Sequence, residues 1–308
     1  MFKAFLLVIV GLSGDPDHGA AFHKWGAALA GGSAKLGVDK ANVIYLADSL
    51  DGDPKPNGRS TKEEIEKAID QFAKTASPDD IVFVTLIGHG SFDGRASKIN
   101  LPGPDLSGAD FNVLLRKLPT KQVVFVNTAS SSGPFIEALS GPGRTVITAT
   151  RNGAEQYATL FGGYFVDALT SDEADADKNK RVSMLEAFKF AKGEVAKAYE
   201  REGLLSTEHA LLDDNGDKQG SPDPAVTSAD GKTASILSIG SAADAALPSD
   251  PKLRALYIER RDMERRVESL RLLKDSMEPA RYASELEKLV TDLALKTREI
   301  RLLETPRP

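Results

Sequence analysis

Short apolar, β-branched runs alternate with stretches of helical periodicity through the first two thirds of the chain. The runs fall at 5–11, 42–47, 81–88, 122–127 and 145–149. Most are apolar at every position rather than at every second one, the pattern of strands buried on both faces. Between them the spacing predicts an Ala-rich helix over about 20–36, a second from Ser60, a third over 109–117 and a short one over 134–139. Two more, at 157–169 and 183–202, follow the last run. Strands alternating with helices call for βαβ units and a parallel sheet covered on both sides. The fold class expected is therefore α/β, a three-layer sandwich. Ser60-Thr61-Lys62-Glu63 has capping-box spacing, with hydroxyl and carboxylate each meeting a free amide. The opening run of Met1 to Gly11 is too short for an export signal and lacks a small-residue cleavage site, so it reads as the first strand. An export signal removed ahead of Met1 would favour a periplasmic or secreted location.

After this pattern ends the chain changes character. Residues 217–251 are rich in Gly, Ser, Ala, Asp and Pro and read as a linker, with a short strand at 235–239. From 252 to 305 Leu256, Met263, Val267, Leu270 and Met277 follow heptad spacing, with Arg260 and Lys274 filling gaps. After Pro279 the spacing continues through Tyr282, Leu286, Leu289, Leu293, Ile300 and Leu303, with Lys296 the exception. Two helices broken at Glu278-Pro279 fold as a hairpin or extend into a coiled coil that joins copies of the chain. Both arrangements remain open. Three segments result: an α/β domain over 1–216, a linker over 217–251 and a helical segment over 252–305.

The chain has 308 residues and a net charge of -6, which argues against nucleic-acid binding, since a phosphate backbone needs a basic face. No run is long enough to span a membrane. There is no cysteine, so disulfides, thiolate metal sites and thiol catalysis are all excluded.

That absence governs the candidate chemistry. Gly88-His89-Gly90 follows the third apolar run, and Ala129-Ser130-Ser131-Ser132-Gly133 follows the fourth. Loops after successive parallel strands open on one carboxyl edge, where ligands collect. A histidine on one and a hydroxyl on the next is the layout of a base and a nucleophile. The loop over 48–59 opens on the same edge. His18, His23 and His209 have no metal-ligand spacing among themselves, and His23, beside Trp25 in a helical pattern, reads as packing or surface.

These residues resemble the legumain-type (hemoglobinase-like) cysteine peptidases of the caspase-like fold. That family has a strand followed by His-Gly, then a strand followed by Ala-Cys-x-Ser-Gly. The separation of 41 residues between His89 and Ser130 also resembles the family's. The resemblance implies a caspase-like sheet over about 5–213, His89 as base, Ser130 at the nucleophile's place, and the amides of Gly90 and Ser130 as an oxyanion hole. Thr128 stands where the family has an acidic residue, and Asp15-Pro16-Asp17-His18-Gly19 lacks its arginine, so asparagine specificity does not carry over. Serine is a far weaker acid than cysteine and needs a base held by a third group. Asp93 is the nearest carboxylate to His89 in sequence. Four readings follow: a bacterial-type pseudopeptidase that binds peptide or protein partners, a Ser130–His89 hydrolase, a Cys→Ser knockout of an active peptidase, and an adaptor that assembles copies through its helical tail. Ser130-Ser131-Ser132 also reads simply as a turn capping the helix at 134–139.

A second feature is the run from Asp175 to Glu186, which reads onto the twelve-position EF-hand loop. Oxygen ligands for Ca²⁺ would come from Asp175, Asp177, Asn179, the Arg181 carbonyl, Ser183 and Glu186. Lys180 occupies the sixth position, where glycine permits the sharp turn. The alternative is an acidic helix-capping loop. Asp213-Asp214-Asn215-Gly216-Asp217 is another oxygen-rich turn.

Overall fold

The computed structural model describes residues 3–239, 250–272 and 277–304. The chain divides into one unit running to Ala242 and a second from Ala243. The elements of the first, in order, are β1 (Ala4–Val10), α1 (Pro16–Gly31), β2 (Val43–Ala47), β3 (Gly58–Arg59), α2 (Lys62–Thr75), β4 (Ile81–Ile87), β5 (Gly90–Phe92), β6 (Ser97–Ile99), β7 (Leu106–Ser107), α3 (Gly108–Leu115), β8 (Gln122–Asn127), α4 (Phe135–Leu139), β9 (Arg144–Thr148), α5 (Phe161–Thr170), α6 (Met184–Glu202) and β10 (Leu211–Asp213).

The main sheet has the order β10-β9-β8-β4-β1-β2-β3. Every neighbouring pair is parallel except β10, which runs antiparallel to β9. Alternate residues of β1 explain the layering. Phe5, Leu7 and Ile9 pack with Ile65, Ile69 and Phe72 of α2 and with Phe111 and Phe135 of α3 and α4. Leu6, Val8 and Val10 turn the other way, to Phe22 and Leu29 of α1, Phe161 and Phe165 of α5 and Phe188 of α6. All seven residues of β1 are buried, so a charge there has no solvated side to turn to. Burying each large apolar side chain stabilises by roughly 1.5–3 kcal/mol. This is the three-layer, mainly parallel sandwich expected.

Three local readings change. The cap of α2 is Thr61, which accepts from the Glu64 amide at 3.4 Å, one residue later than the box at Ser60 and Glu63. The stretch expected as a linker from 217 is packed onto the α/β unit as far as 239. Ser221 exchanges two backbone hydrogen bonds with Leu212, and the Met184 and Leu185 amides donate to the carbonyls of Leu237 and Ala234. Ala234 and Ile239 are buried. The buried Asp214 carboxylate organises this stretch by accepting the amides of Gly231 at 2.8 Å and Ala234 at 2.7 Å. Turn residues satisfied one by one leave no apolar period, which is why the composition reads as a linker. The strand at 235–239 reduces to one bridge between Ser183 and Ser238.

The second unit contains α7 (Pro251–Leu272) and α8 (Pro279–Glu304), which pack against each other as a hairpin. Leu256, Val267, Leu270 and Ile300 are buried. Lys296, the break in the heptad spacing, pairs across the hairpin with Glu259 at 2.7 Å. Lys274 and the link between the helices at 273–276, like most of the 240–251 part of the expected linker, lie outside the described residues. Among the described residues no helix is long and apolar enough to cross a membrane.

Candidate functional site

β4 and β8 are neighbours with Leu86 opposite Asn127, so the loops carrying His89 and Ser130 leave adjacent strand ends. Sheet order places β1 on the other side of β4, and the chain turns to β2 on one flank and β8 on the other. Such a switch point opens a crevice at the carboxyl ends of the strands. Gly88 reaches it with φ 153°, its Cα lying where an added Cβ would sit 3.3 Å from the Gly11 backbone. No side chain fits that approach without strain.

The His89 ring is held by groups from the loop after β1 and from α1. Its centroid lies 4.7 Å from that of His18 and 5.0 Å from that of Phe22, both edge-on. Gly14 lies against its Cδ2–Nε2 edge. Burial, and then the charge of His18, hold the imidazole below its ordinary value of 6.5; the Ser13 backbone and Asp15 work the other way. Among the described residues no carboxylate hydrogen-bonds the ring, unlike the arrangement of a serine-hydrolase triad. Asp93, the nearest carboxylate in sequence, instead caps its own turn through the amides of Arg95 and Ala96.

Ser130 is 2% exposed. Its hydroxyl accepts from the Gly90 amide at 3.1 Å and donates to the Gly90 carbonyl at 3.1 Å. Among the described residues no hydrogen bond joins it to His89. The Gly90 amide, expected in an oxyanion hole, is directed at the serine's own oxygen. The rest of the run is equally committed. Ser131, in the left-handed region at φ 54°, donates its hydroxyl to the Gly153 carbonyl at 3.0 Å. The Ser132 hydroxyl meets that of Thr150 at 3.1 Å, and Thr150 also accepts from the Gly133 amide. These hydroxyls stitch the loop after β8 to the loop after β9. They do not cap α4, whose start at Pro134 has no side-chain cap.

Residues read from sequence without a role at this site complete the edge. His23 Nε2 pairs with Asp48 at 2.7 Å, and Ser13 donates to the same carboxylate at 3.1 Å. Glu155 holds His209 through Nδ1 at 2.7 Å and the backbone amide at 3.1 Å. Glu208 is buried and accepts the amides of Leu160 and Phe161, at the start of α5, at 2.8 and 3.0 Å. No sequence spacing signals these pairs, because the partners come from different strand ends.

The loop of 175–186 lies apart from this crevice in the chain and precedes α6. The carboxylates of Asp175, Asp177 and Glu186 can each place an oxygen within 4.8 Å of the others. Lys180 adopts φ 65°, the conformation glycine supplies at that place. Asp175 accepts the amides of Asn179 and Lys180, and Arg181 donates its amide to Asn179. Ser183 and Glu186 form the capping box of α6, and Glu186 also accepts the Ala176 amide at 3.0 Å. Both readings of the loop, cation ligand set and helix cap, thus fall on the same carboxylates.

Residues 61–212, just under half of the chain, match the model of the Peptidase C13 family. The match spans both motifs on which the resemblance to legumain-type peptidases rests. No curated protein matches the chain. Among solved structures it is similar to a structural-genomics protein of Geobacter sulfurreducens, at 15% identity and a TM-score of 0.46, covering 72% of this chain and 95% of that one.

Proposed function

On the Peptidase C13 scaffold formed by residues 61–212, we propose a pseudopeptidase that uses the cleft at His89 and Ser130 to bind a peptide or protein partner. One observation carries the reading: the Ser130 hydroxyl is buried and closed into a ring of two hydrogen bonds with the Gly90 backbone. A nucleophile must be deprotonated by a base in contact with it and must reach a carbonyl. Here the acceptor for the serine proton is a carbonyl oxygen, which is no base, and the imidazole packs against His18 and Phe22. A fluorophosphonate probe is expected to leave the folded protein unlabelled. Labelling that disappears in Ser130→Ala would overturn the reading in favour of a serine hydrolase.

The scaffold also carries a Ca²⁺ loop, with Asp175, Asp177, Asn179, the Arg181 carbonyl, Ser183 and Glu186 as its oxygen ligands. Support comes from the converging carboxylates and from the left-handed turn at Lys180. Lys180 brings a positive charge that a glycine would not, which weakens affinity. Calcium at ten times its dissociation constant adds about 1.4 kcal/mol to folding stability, or about 2–4 °C in melting temperature for a chain of this size. That rise should vanish in Asp175→Ala plus Glu186→Ala. A melting curve identical in calcium and in EDTA removes the site.

A further inference from the structure

The turn after β10 repeats the first half of the 175–186 loop elsewhere in the chain. Asp213, Asn215 and Asp217 occupy its first, third and fifth places, as Asp175, Asp177 and Asn179 do in the other. Backbone conformation follows the sequence register. The fourth and sixth residues are left-handed in both, Lys178 at 57° and Lys180 at 65° against Gly216 at 82° and Lys218 at 69°. The third residue accepts from the fifth in both: Asp217 donates its amide to Asn215 Oδ1 at 2.7 Å, and Asn179 to Asp177 Oδ1 at 3.0 Å. Turns of this kind occur wherever Asp and Asn are dense and do not by themselves indicate a ligand.

Asp213 supplies the independent sign. The residue is fully buried, its Oδ1 accepts the Gly216 amide at 3.0 Å, and its Oδ2 is buried with no hydrogen-bond partner. The same carboxylate that bonds into the turn therefore carries a second oxygen that no described residue satisfies. Leaving such an oxygen in the interior is costly, and proteins pair it or give it to a metal. Asp230 is buried and accepts the amide of Asp214, the residue next to Asp213, at 3.2 Å.

We propose that this turn is a second divalent-cation site of the calcium type, with Asp213 Oδ2, Asn215 Oδ1 and the Asp217 carboxylate as donors. It is a half-loop: no twelfth-position glutamate follows, and Lys218 adds a positive charge, so affinity belongs to the weak range of about 10⁻⁴–10⁻³ M. Its effect would be to tie the end of β10 to the packed stretch at 217–239, since Asp214 and Asp230 hold the two together.

The test is equilibrium dialysis of radiolabelled calcium into the full chain and into Asp217→Ala, whose side chain is exposed. The variant should bind one equivalent fewer, or bind it roughly tenfold more weakly or worse, whatever the 175–186 loop takes up. Asp175→Ala plus Glu186→Ala should leave this equivalent in place. Equal stoichiometry and affinity in the full chain and in Asp217→Ala would overturn the proposal, as would removal of every equivalent by the Asp175→Ala plus Glu186→Ala pair.

Discussion

Gly90→Ala should destabilise the α/β unit by about 1–3 kcal/mol, the usual cost of forcing extra atoms into a packed site. A Cβ at Gly90 would lie 2.2 Å from the Ser130 carbonyl oxygen and 3.1 Å from that of Lys98. Both obstacles are backbone, so no side chain can rotate away. The loop after β8 has to retreat from the loop after β4, and the two hydrogen bonds between Ser130 and Gly90 go with it. Urea unfolding gives the stability change directly from the midpoint at constant slope. Gly193→Ala, where a Cβ meets nothing within 4 Å, is the control. A Gly90→Ala midpoint equal to wild type would mean that the two loops are not in contact, and the cleft described above would have to be redrawn.

Loss of the Glu208 carboxylate should cost at least as much, about 3 kcal/mol in Glu208→Ala. The buried carboxylate is the acceptor for two backbone amides at the start of α5, those of the exposed Leu160 and the buried Phe161. An unsatisfied buried donor costs about 1–3 kcal/mol, and a negative charge also suits a helix N-terminus. Its pH dependence carries a definite sign. Burial is the main influence and pushes the carboxyl above its ordinary value of 4.5; the two amides and Tyr199 pull it back, and Glu155 pushes it further up. The folded state then holds the proton more tightly than the unfolded chain does. The stability this residue contributes is complete below 4.5 and shrinks as pH rises through the raised folded value. Stability of wild type relative to Glu208→Gln, which does not titrate, should therefore fall as pH goes from 4.5 to 7. A difference that grows over the same interval would contradict the burial-dominated environment.

The readings that held rest on local chemistry. Phe5, Leu7 and Ile9 alternate with Leu6 and Val8 in a run apolar on both faces, and such a run is soluble in nothing but the middle of a covered sheet. The loops of His89 and Ser130 were legible as neighbours because each directly follows a strand, and neighbouring parallel strands present their following loops together. The hairpin at α7 and α8 was one of two arrangements that the heptads allowed; the pairing of Lys296 with Glu259 accounts for the one position that broke the pattern. The misreading at 217–239 has the opposite origin. There the fold is held by Asp214 accepting amides from Gly231 and Ala234, single bonds with no period to detect.

Strand runs, helical faces, the absence of cysteine and the two strand-end motifs are properties of neighbours along the chain, so the order of residues alone determines them. The partners of those motifs are not. The His89 ring faces His18 and Phe22 because β1 lies beside β4, and the Ser130 hydroxyl closes on Gly90 because β8 lies on β4's other side. Sheet order brings together groups tens of residues apart, and hydrogen bonds act only over about 3 Å. Whether a serine at this place is a nucleophile or a strut is therefore decided by tertiary packing.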